Sequence, residues 1–292
     1  MKRVRNFLIA ILSGFVSYYA LMFLGCALFS MSYSNLVSEM QHAAQSIQNA
    51  PLIRYMLAVQ TVSIFLVPAF VLLRLFHIPI SEVPQRPLPP VFVLIALIVL
   101  VLCNMPGINF LSYCNTQCVH MFIDDNSILT QSYEHNERIT EFLLNTTSIK
   151  YLIFNILIIA LLPAIGEELF FRGLLQQALQ RSMHNVHAAI FISAFIFSIM
   201  HNDVFNLVPR LAMGMLFGYV LYTTKKMQYA IVAHCVHNAT VVLVYFFIHK
   251  QYLPPQFNTI GEIGNGSIAG VASLLLVALT MIAWWRNSNS RV

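Results

Sequence analysis

The chain has 292 residues, of which 58% are hydrophobic and 9% are charged. In a soluble domain about a quarter of the residues are charged, so this composition excludes an ordinary soluble domain and indicates a polytopic membrane protein. The net charge is +5, but the basic residues form no clustered stripe of the kind that nucleic-acid binding requires, and we expect no nucleic-acid partner.

Apolar runs in chain order predict the membrane spans. A span needs about 17 to 25 predominantly apolar residues, and a shorter run can be completed by polar residues that face protein or a cavity. The sequence therefore predicts an all-α bundle of about eight transmembrane helices, with residues 1–292 forming a single membrane domain. The predicted spans are Phe7–Met31, Tyr55–Leu73, Val91–Leu111, Tyr151–Gln176, Val186–His201, Pro209–Thr224, Tyr229–Ile248 and Ser267–Trp285.

The first run follows Lys2, Arg3 and Arg5, which is the order found in a signal peptide. The apolar region of a signal peptide has roughly 7 to 15 residues, and this run is longer. We therefore expect it to be a retained first span.

The distribution of Lys and Arg predicts the orientation of the bundle. With a cytoplasmic N-terminus, eleven basic residues fall inside and five fall outside. The positive-inside rule then predicts a multi-pass protein of the cell membrane, which lies in a lipid bilayer with both termini in the cytoplasm. The inside set is Lys2, Arg3, Arg5, Arg74, Arg86, Arg172, Arg181, Lys225, Lys226, Arg286 and Arg291, and the outside set is Arg54, Arg138, Lys150, Arg210 and Lys250.

The segment from Ser112 to Ser148 is the longest between the predicted spans, and it falls on the outer side. It carries five carboxylates, and its length leaves room for folded structure. We expect an extramembrane loop or a surface helix over residues 112–148. The carboxylates are Asp124, Asp125, Glu134, Glu137 and Glu141.

Three charged residues stand at the end of the fourth apolar run, in the sequence Glu167-Glu168-Leu169-Phe170-Phe171-Arg172. A charge at membrane depth costs a few kcal/mol or more and usually marks a functional site. In one helix, Glu168 and Arg172 are four residues apart and can pair on one face, either as a structural ion pair or in support of a site. Glu167 is turned about 100° away, so it is free to face a cavity as a general base.

His201, His234 and Asn238 follow in the next predicted helices. If the helices before and after the turn around residues 182–185 are antiparallel, Glu167 and His201 lie at the same depth, because they are about equally far from that turn. Counted from Gln176 and from the Lys225-Lys226 turn, Glu167 and His234 lie roughly 14 Å and 11 Å below the cytoplasmic surface. His234 and Asn238 share a helix face. The alternatives are an interfacial role for His201 and interhelical hydrogen bonding for the His234 and Asn238 pair.

In order along the chain, these residues resemble the motifs of a known family. The family comprises intramembrane endopeptidases grouped as CAAX prenyl proteases and bacteriocin-processing enzymes, abbreviated CPBP. Its pattern of E-E-x-x-x-R, F-x-x-x-H and H-x-x-x-N is similar to Glu167–Arg172, Phe197–His201 and His234–Asn238. The resemblance covers a core at residues 150–249, about a third of the chain.

The resemblance implies peptide-bond hydrolysis in an eight-helix bundle whose cavity opens to the cytoplasm and the lipid. It implies that Glu167 with His201 holds and deprotonates the attacking water, and that His234 and Asn238 stabilise the oxyanion. Glu168 and Arg172 would position Glu167. The implied substrate is a membrane-associated peptide or protein, and a prenylated C-terminus is the best-known substrate of the family.

Three alternatives stay open. Glu167, His201 and His234 could instead hold a zinc ion, although the chain has no His-Glu-x-x-His motif and we favour a mechanism without a metal or other cofactor. A relative of this family could also serve as a non-catalytic membrane scaffold or a bacteriocin immunity protein. A transporter with a carboxylate relay is the third alternative, but the sequence has no inverted repeat.

Overall fold

The computed structural model describes residues 2–46, 49–75 and 91–289, and within them it contains helices and no strand. We number the helices in chain order. They are α1 (Lys2–Leu28), α2 (Tyr33–Ser46), α3 (Ala50–Leu75), α4 (Val91–His120), α5 (Ile128–Leu144), α6 (Ile149–Met183), α7 (Val186–Ile199), α8 (Leu207–Thr224), α9 (Met227–His249) and α10 (Ser267–Asn289).

Seven helices in the described part of the chain are long and apolar enough to cross a membrane, and each corresponds to a predicted span. The remaining predicted span, Val186–His201, forms α7, which has only 14 residues. Apolar side chains such as Leu12, Phe23 and Leu279 are more than half exposed, as expected for surfaces in contact with lipid. The prediction of an all-α, polytopic membrane bundle is therefore confirmed.

The bundle has two ends, which we name the base and the cap. At the base, the Asn6 amide donates to the Leu75 carbonyl, and the rings of His187 and Trp285 lie 5.4 Å apart. The base also contains the turns at 184–185 and 225–226, whereas the cap comprises α5 and the segments 200–206 and 250–266. Residues near both ends of the chain therefore lie at the base. Arg86 and Arg291, which entered the orientation argument, lie outside the described residues.

Helix α5, which forms part of the cap, packs against α3 and α6. Its first turn is capped by the Ser127 hydroxyl, which accepts from the Thr130 amide, and its last turn is held by Arg54 and Asn155, which both donate to the Leu143 carbonyl. The helix that contains the predicted span Val91–Leu111 is longer than that span, because α4 continues to His120. Its polar last turns are stabilised by contacts within the cap. The Asn115 amide donates to the carbonyls of residues 204 and 205.

Glycine allows α7 and α8 to approach closely. A Cβ atom added to Gly214 would lie 2.9 Å from the Cβ of Ala194, and one added to Gly218 would lie 2.8 Å from Ile190. Small residues at such positions are typical of tight helix pairs in membranes. This contact fixes α8 against the helix that leads to His201.

Helix α6 contains two π-helical segments, at Ile156–Leu161 and Leu169–Gln176. They flank a short α-helical turn, Leu162–Glu168, that begins with Pro163 near its N-terminus and ends with the two glutamates. A third π-helical segment, Val62–Leu66 in α3, packs beside Gly166. Such segments occur mostly as isolated turns and frequently at functional sites. Their concentration here marks the two glutamates as the irregular centre of the bundle.

Candidate active site

Glu168 and Arg172 form an ion pair that is completely buried. Arg172 Nη1 lies 3.1 Å from Glu168 Oε1, and Nη2 donates to the Gly214 carbonyl at 2.8 Å. The guanidinium carbon also lies 4.8 Å from the centre of the Phe197 ring. The opposite charge of Glu168, the Gly214 carbonyl and the aromatic wall offset part of the desolvation cost of Arg172.

His234 is oriented by Glu168. Its Nδ1 lies 2.9 Å from Glu168 Oε1, and its ring stacks on Phe217 with centroids 4.7 Å apart. A carboxylate oxygen accepts, so Nδ1–H is the donor, and this leaves Nε2 of the neutral ring as an acceptor. Nε2 lies 3.9 Å from Glu167 Oε2. One imidazole therefore connects the buried ion pair with the second glutamate.

Glu167 is the glutamate that Arg172 does not hold. Glu167 is 8% exposed, and its carboxylate lies beside the His234 ring. A separation of 3.9 Å is too long for a direct hydrogen bond, and a single water can bridge two polar atoms at such a separation. The geometry thus allows one water beside these two atoms to bridge Glu167 and His234.

His201 reaches this group through an aromatic wall. Its Nδ1 donates to the Phe197 carbonyl at 2.8 Å, and the Phe197 ring lies 4.8 Å from His201 and 6.1 Å from His234. The residues after His201 are held at the cap. Asp203 accepts from the Phe205 amide and pairs with Arg210 at 2.8 Å. His201 is therefore at the side of the site nearer to the cap.

Asn238 makes a different contact from its helix neighbour His234. Its side-chain amide donates to the carbonyl of Ile159, in the first π-helical segment of α6, at 3.3 Å. The structure thus brings Glu167, Glu168, Arg172 and His234 into direct contact. His201 is linked to them by Phe197, and Asn238 packs on the first π-helical segment of α6.

Sequence reasoning missed the contact between Glu168 and His234, which are 66 residues apart. The spacing within α6 reveals the pair of Glu168 and Arg172, but it carries no signal for a partner on another helix. The Phe197 wall had a signal in the F-x-x-x-H spacing, whereas Phe217 had none.

The described side chains do not fit a metal centre. Across these residues, no group of three or more His, Cys, Asp or Glu side chains is arranged to hold a metal ion. Glu167 and His234 are close, but His201 does not complete a three-ligand set with them. We therefore derive no step through a metal at this site.

The charged residues at the centre of the site are buried. Glu168 and Arg172 are fully buried, and His234 is 5% exposed. Two cavities in the described structure, of about 250 Å³ and 890 Å³, lie elsewhere, at the base and at the cap. The charged centre of the site is therefore buried, while His201 and Asn238 at its edge are partly exposed.

Comparisons with known proteins bear on the same segment. Residues 149–240 match the family described as type II CAAX prenyl endopeptidase Rce1-like. Over 101 residues, 35% of this chain, the sequence is 32% identical to the Bacillus subtilis (strain 168) protein named "Putative membrane peptidase YdiL", and the match spans 41% of that relative. No solved structure matches the chain. The resemblance to CPBP endopeptidases is therefore confirmed, since helices α6 to α9 match the Rce1-like family over the residues that build this site.

Proposed function

We propose that the protein is an intramembrane endopeptidase that hydrolyses a peptide bond of a membrane-associated peptide or protein. The observation that carries the proposal is the 3.9 Å gap between Glu167 Oε2 and His234 Nε2, behind which Glu168 and Arg172 fix the imidazole. The match of residues 149–240 to the Rce1-like family supports the same reaction class. A prenylated C-terminus is the substrate class that the family description names.

In the proposed reaction, one water lies beside these two atoms and donates one hydrogen to Glu167 and the other to His234 Nε2. Both acceptors are then satisfied, and a lone pair of the water oxygen is left to attack the carbonyl carbon. As the O–C bond forms, Glu167 takes a proton from the water. When the C–N bond breaks, Glu167 returns this proton to the leaving amine.

The remaining polar residues take the other roles. Asn238 has two amide N–H groups and uses one on the Ile159 carbonyl, so the second is available to the developing oxyanion. His201 donates from Nδ1 to Phe197, which leaves its Nε2 as an acceptor that can take the second hydrogen of the water in place of His234 Nε2. Because His234 lies beside Glu167, we assign it to holding the water, instead of the oxyanion role that the resemblance implies.

We assign cleavage to the cytoplasmic half of the membrane. His234 lies seven residues, about 10 Å along the helix, from the start of α9 at the base. The distribution of Lys and Arg predicts that the base faces the cytoplasm.

Glu167→Gln tests this function, because it keeps the shape of the side chain and removes its basicity. We expect a cleaved membrane peptide or protein in cells with the wild type and its loss with Glu167→Gln, when new N-termini are compared by proteomics. Glu134→Gln on α5 is the matched control, since Glu134 is exposed on the cap and should leave the product unchanged. A physiological role that survives Glu167→Gln at equal protein level would instead favour a non-catalytic scaffold or an immunity protein.

A further inference from the structure

A cavity of about 250 Å³ opens at the base between the ends of α6 and α8, away from the glutamates. Its walls are polar on the α6 side and carry a Tyr and a Lys on the α8 side. The lining residues are Gln176, Gln177, Gln180, Arg181, Leu221, Tyr222 and Lys225.

The lining offers hydrogen-bond donors and positive charge, and it includes no carboxylate. Arg181 is exposed at the end of α6, and Lys225 Nζ lies 3.8 Å from the centre of the Tyr222 ring. The side-chain nitrogen of Gln177 is buried and has no hydrogen-bond partner among the described residues. A buried donor without an acceptor costs stability, so an acceptor brought by a ligand would be stabilised there. Arg, Lys and amide donors around one small cavity are the recognition set of a phosphate group.

The cavity shares its helix pair with the candidate active site. The Gln176 amide donates to the Gly218 carbonyl at 3.2 Å, one turn along from the bond between Arg172 and the Gly214 carbonyl. These two bonds link α6 and α8 at the same spacing. A ligand held at the base would therefore fix the contact between α6 and α8 directly below Glu168.

We propose that this cavity binds the phosphate of an anionic phospholipid headgroup. It lies where α6 changes from apolar to polar residues, which is the level of lipid headgroups. Basic pockets between transmembrane helices bind such headgroups at this level. An inorganic phosphate ion has the same chemistry without the acyl chains, and the experiment separates the two.

The test uses the purified full-length protein in detergent supplemented with equal amounts of phosphatidylglycerol and phosphatidylcholine. Native mass spectrometry counts the lipids that remain bound. We expect the wild type to retain phosphatidylglycerol over phosphatidylcholine by a factor on the order of ten, since each basic residue near the surface attracts anionic lipid. Arg181→Gln with Lys225→Gln should abolish this preference. Arg74→Gln with Arg286→Gln removes the same charge from exposed residues at the base and should keep it.

Gln177→Leu provides a second variant in case the double variant does not fold. It removes the buried donor without a change in charge, and we expect at least a severalfold loss of phosphatidylglycerol retention. Unchanged retention in Gln177→Leu, or an equal loss in the Arg74 and Arg286 control, would overturn the site. Millimolar inorganic phosphate should leave the bound lipid in place. If phosphate displaces it and stays bound, the ligand is the ion and the lipid assignment is wrong.

Discussion

Glu168 serves two partners through one oxygen atom. Its Oε1 contacts both Arg172 Nη1 and His234 Nδ1, whereas Oε2 is buried and has no hydrogen-bond partner in the described structure. One carboxylate therefore neutralises a buried cation and fixes the tautomer of an imidazole. Stability and chemistry depend on the same atom.

Arg172 balances the charge of Glu168, so the stability of the folded protein should be sensitive to its substitution. We expect Arg172→Met to lower the yield of folded protein, because removing one partner of a buried pair costs about 3–5 kcal/mol. Glu168→Gln combined with Arg172→Met should recover much of the yield, since the uncompensated charge is gone. The measurement is the folded fraction in detergent-extracted membranes by size exclusion, with Arg286→Met as the exposed control. Equal yields for Arg172→Met and the wild type would contradict the expectation that Glu168 is left buried without a compensating charge.

Chelation and elemental analysis separate a glutamate mechanism from a mechanism in which Glu167, His201 and His234 hold a metal. Because no three-ligand group forms among the described residues, we expect peptidase activity to survive exhaustive chelation. Elemental analysis of the active protein should find no stoichiometric zinc, while a zinc peptidase treated in parallel loses its activity. One tightly held zinc per chain, lost together with activity, would show that the metal-free proposal is wrong.

At the scale of elements, the closeness of α7 and α8 can be tested with a pair of glycines. Gly214→Ala would place a methyl group 2.9 Å from Ala194 Cβ, whereas Gly166→Ala would meet Thr61 at an ordinary 3.4 Å. Overpacking costs about 1–3 kcal/mol, but Ala in place of Gly also favours a helix by up to about 1 kcal/mol. We expect Gly214→Ala to lower the thermal unfolding midpoint and Gly166→Ala to keep or raise it. Equal midpoints in detergent would argue that α7 and α8 are less tightly packed than described.

The sequence predicts the elements of this bundle better than the contacts between them. Apolar runs locate the seven helices in the described residues that are long enough to cross a membrane. A spacing of four residues predicts the pair of Glu168 and Arg172, because this contact lies within one helix. The extension of α4 to His120 is hidden from hydropathy, because the polar Asn115 is stabilised by carbonyls that are 89 and 90 residues away. The π-helical segments on either side of the Leu162–Glu168 turn change the helical register around Glu167, and no hydrophobic periodicity in the sequence indicates them.

For the whole molecule, the base and the cap must lie on opposite sides of the membrane. In a variant with its five cysteines replaced, Asn126→Cys and Gln251→Cys, both exposed at the cap, should react with an impermeant thiol reagent added to intact cells. Ser182→Cys, exposed at the base, should react only after permeabilisation. This expectation follows from the excess of Lys and Arg on the base side. Labelling in the reverse order would turn the bundle over and move the proposed cleavage to the other compartment.

Helix α7 gives the protein a local mismatch with the bilayer. Its 14 residues span about 21 Å, whereas the hydrocarbon core is about 30 Å thick. At the end of this helix, Ile199 and Met200 are nearly half exposed, and the polar residues His201, Asn202 and Asp203 follow directly. Local thinning of the bilayer is one way to accommodate so short a helix, and it would bring headgroups and water close to His201 from the side. A substrate helix that entered such thinned lipid would be longer than the local hydrocarbon layer, and it would have to tilt or expose one of its ends to water beside His201.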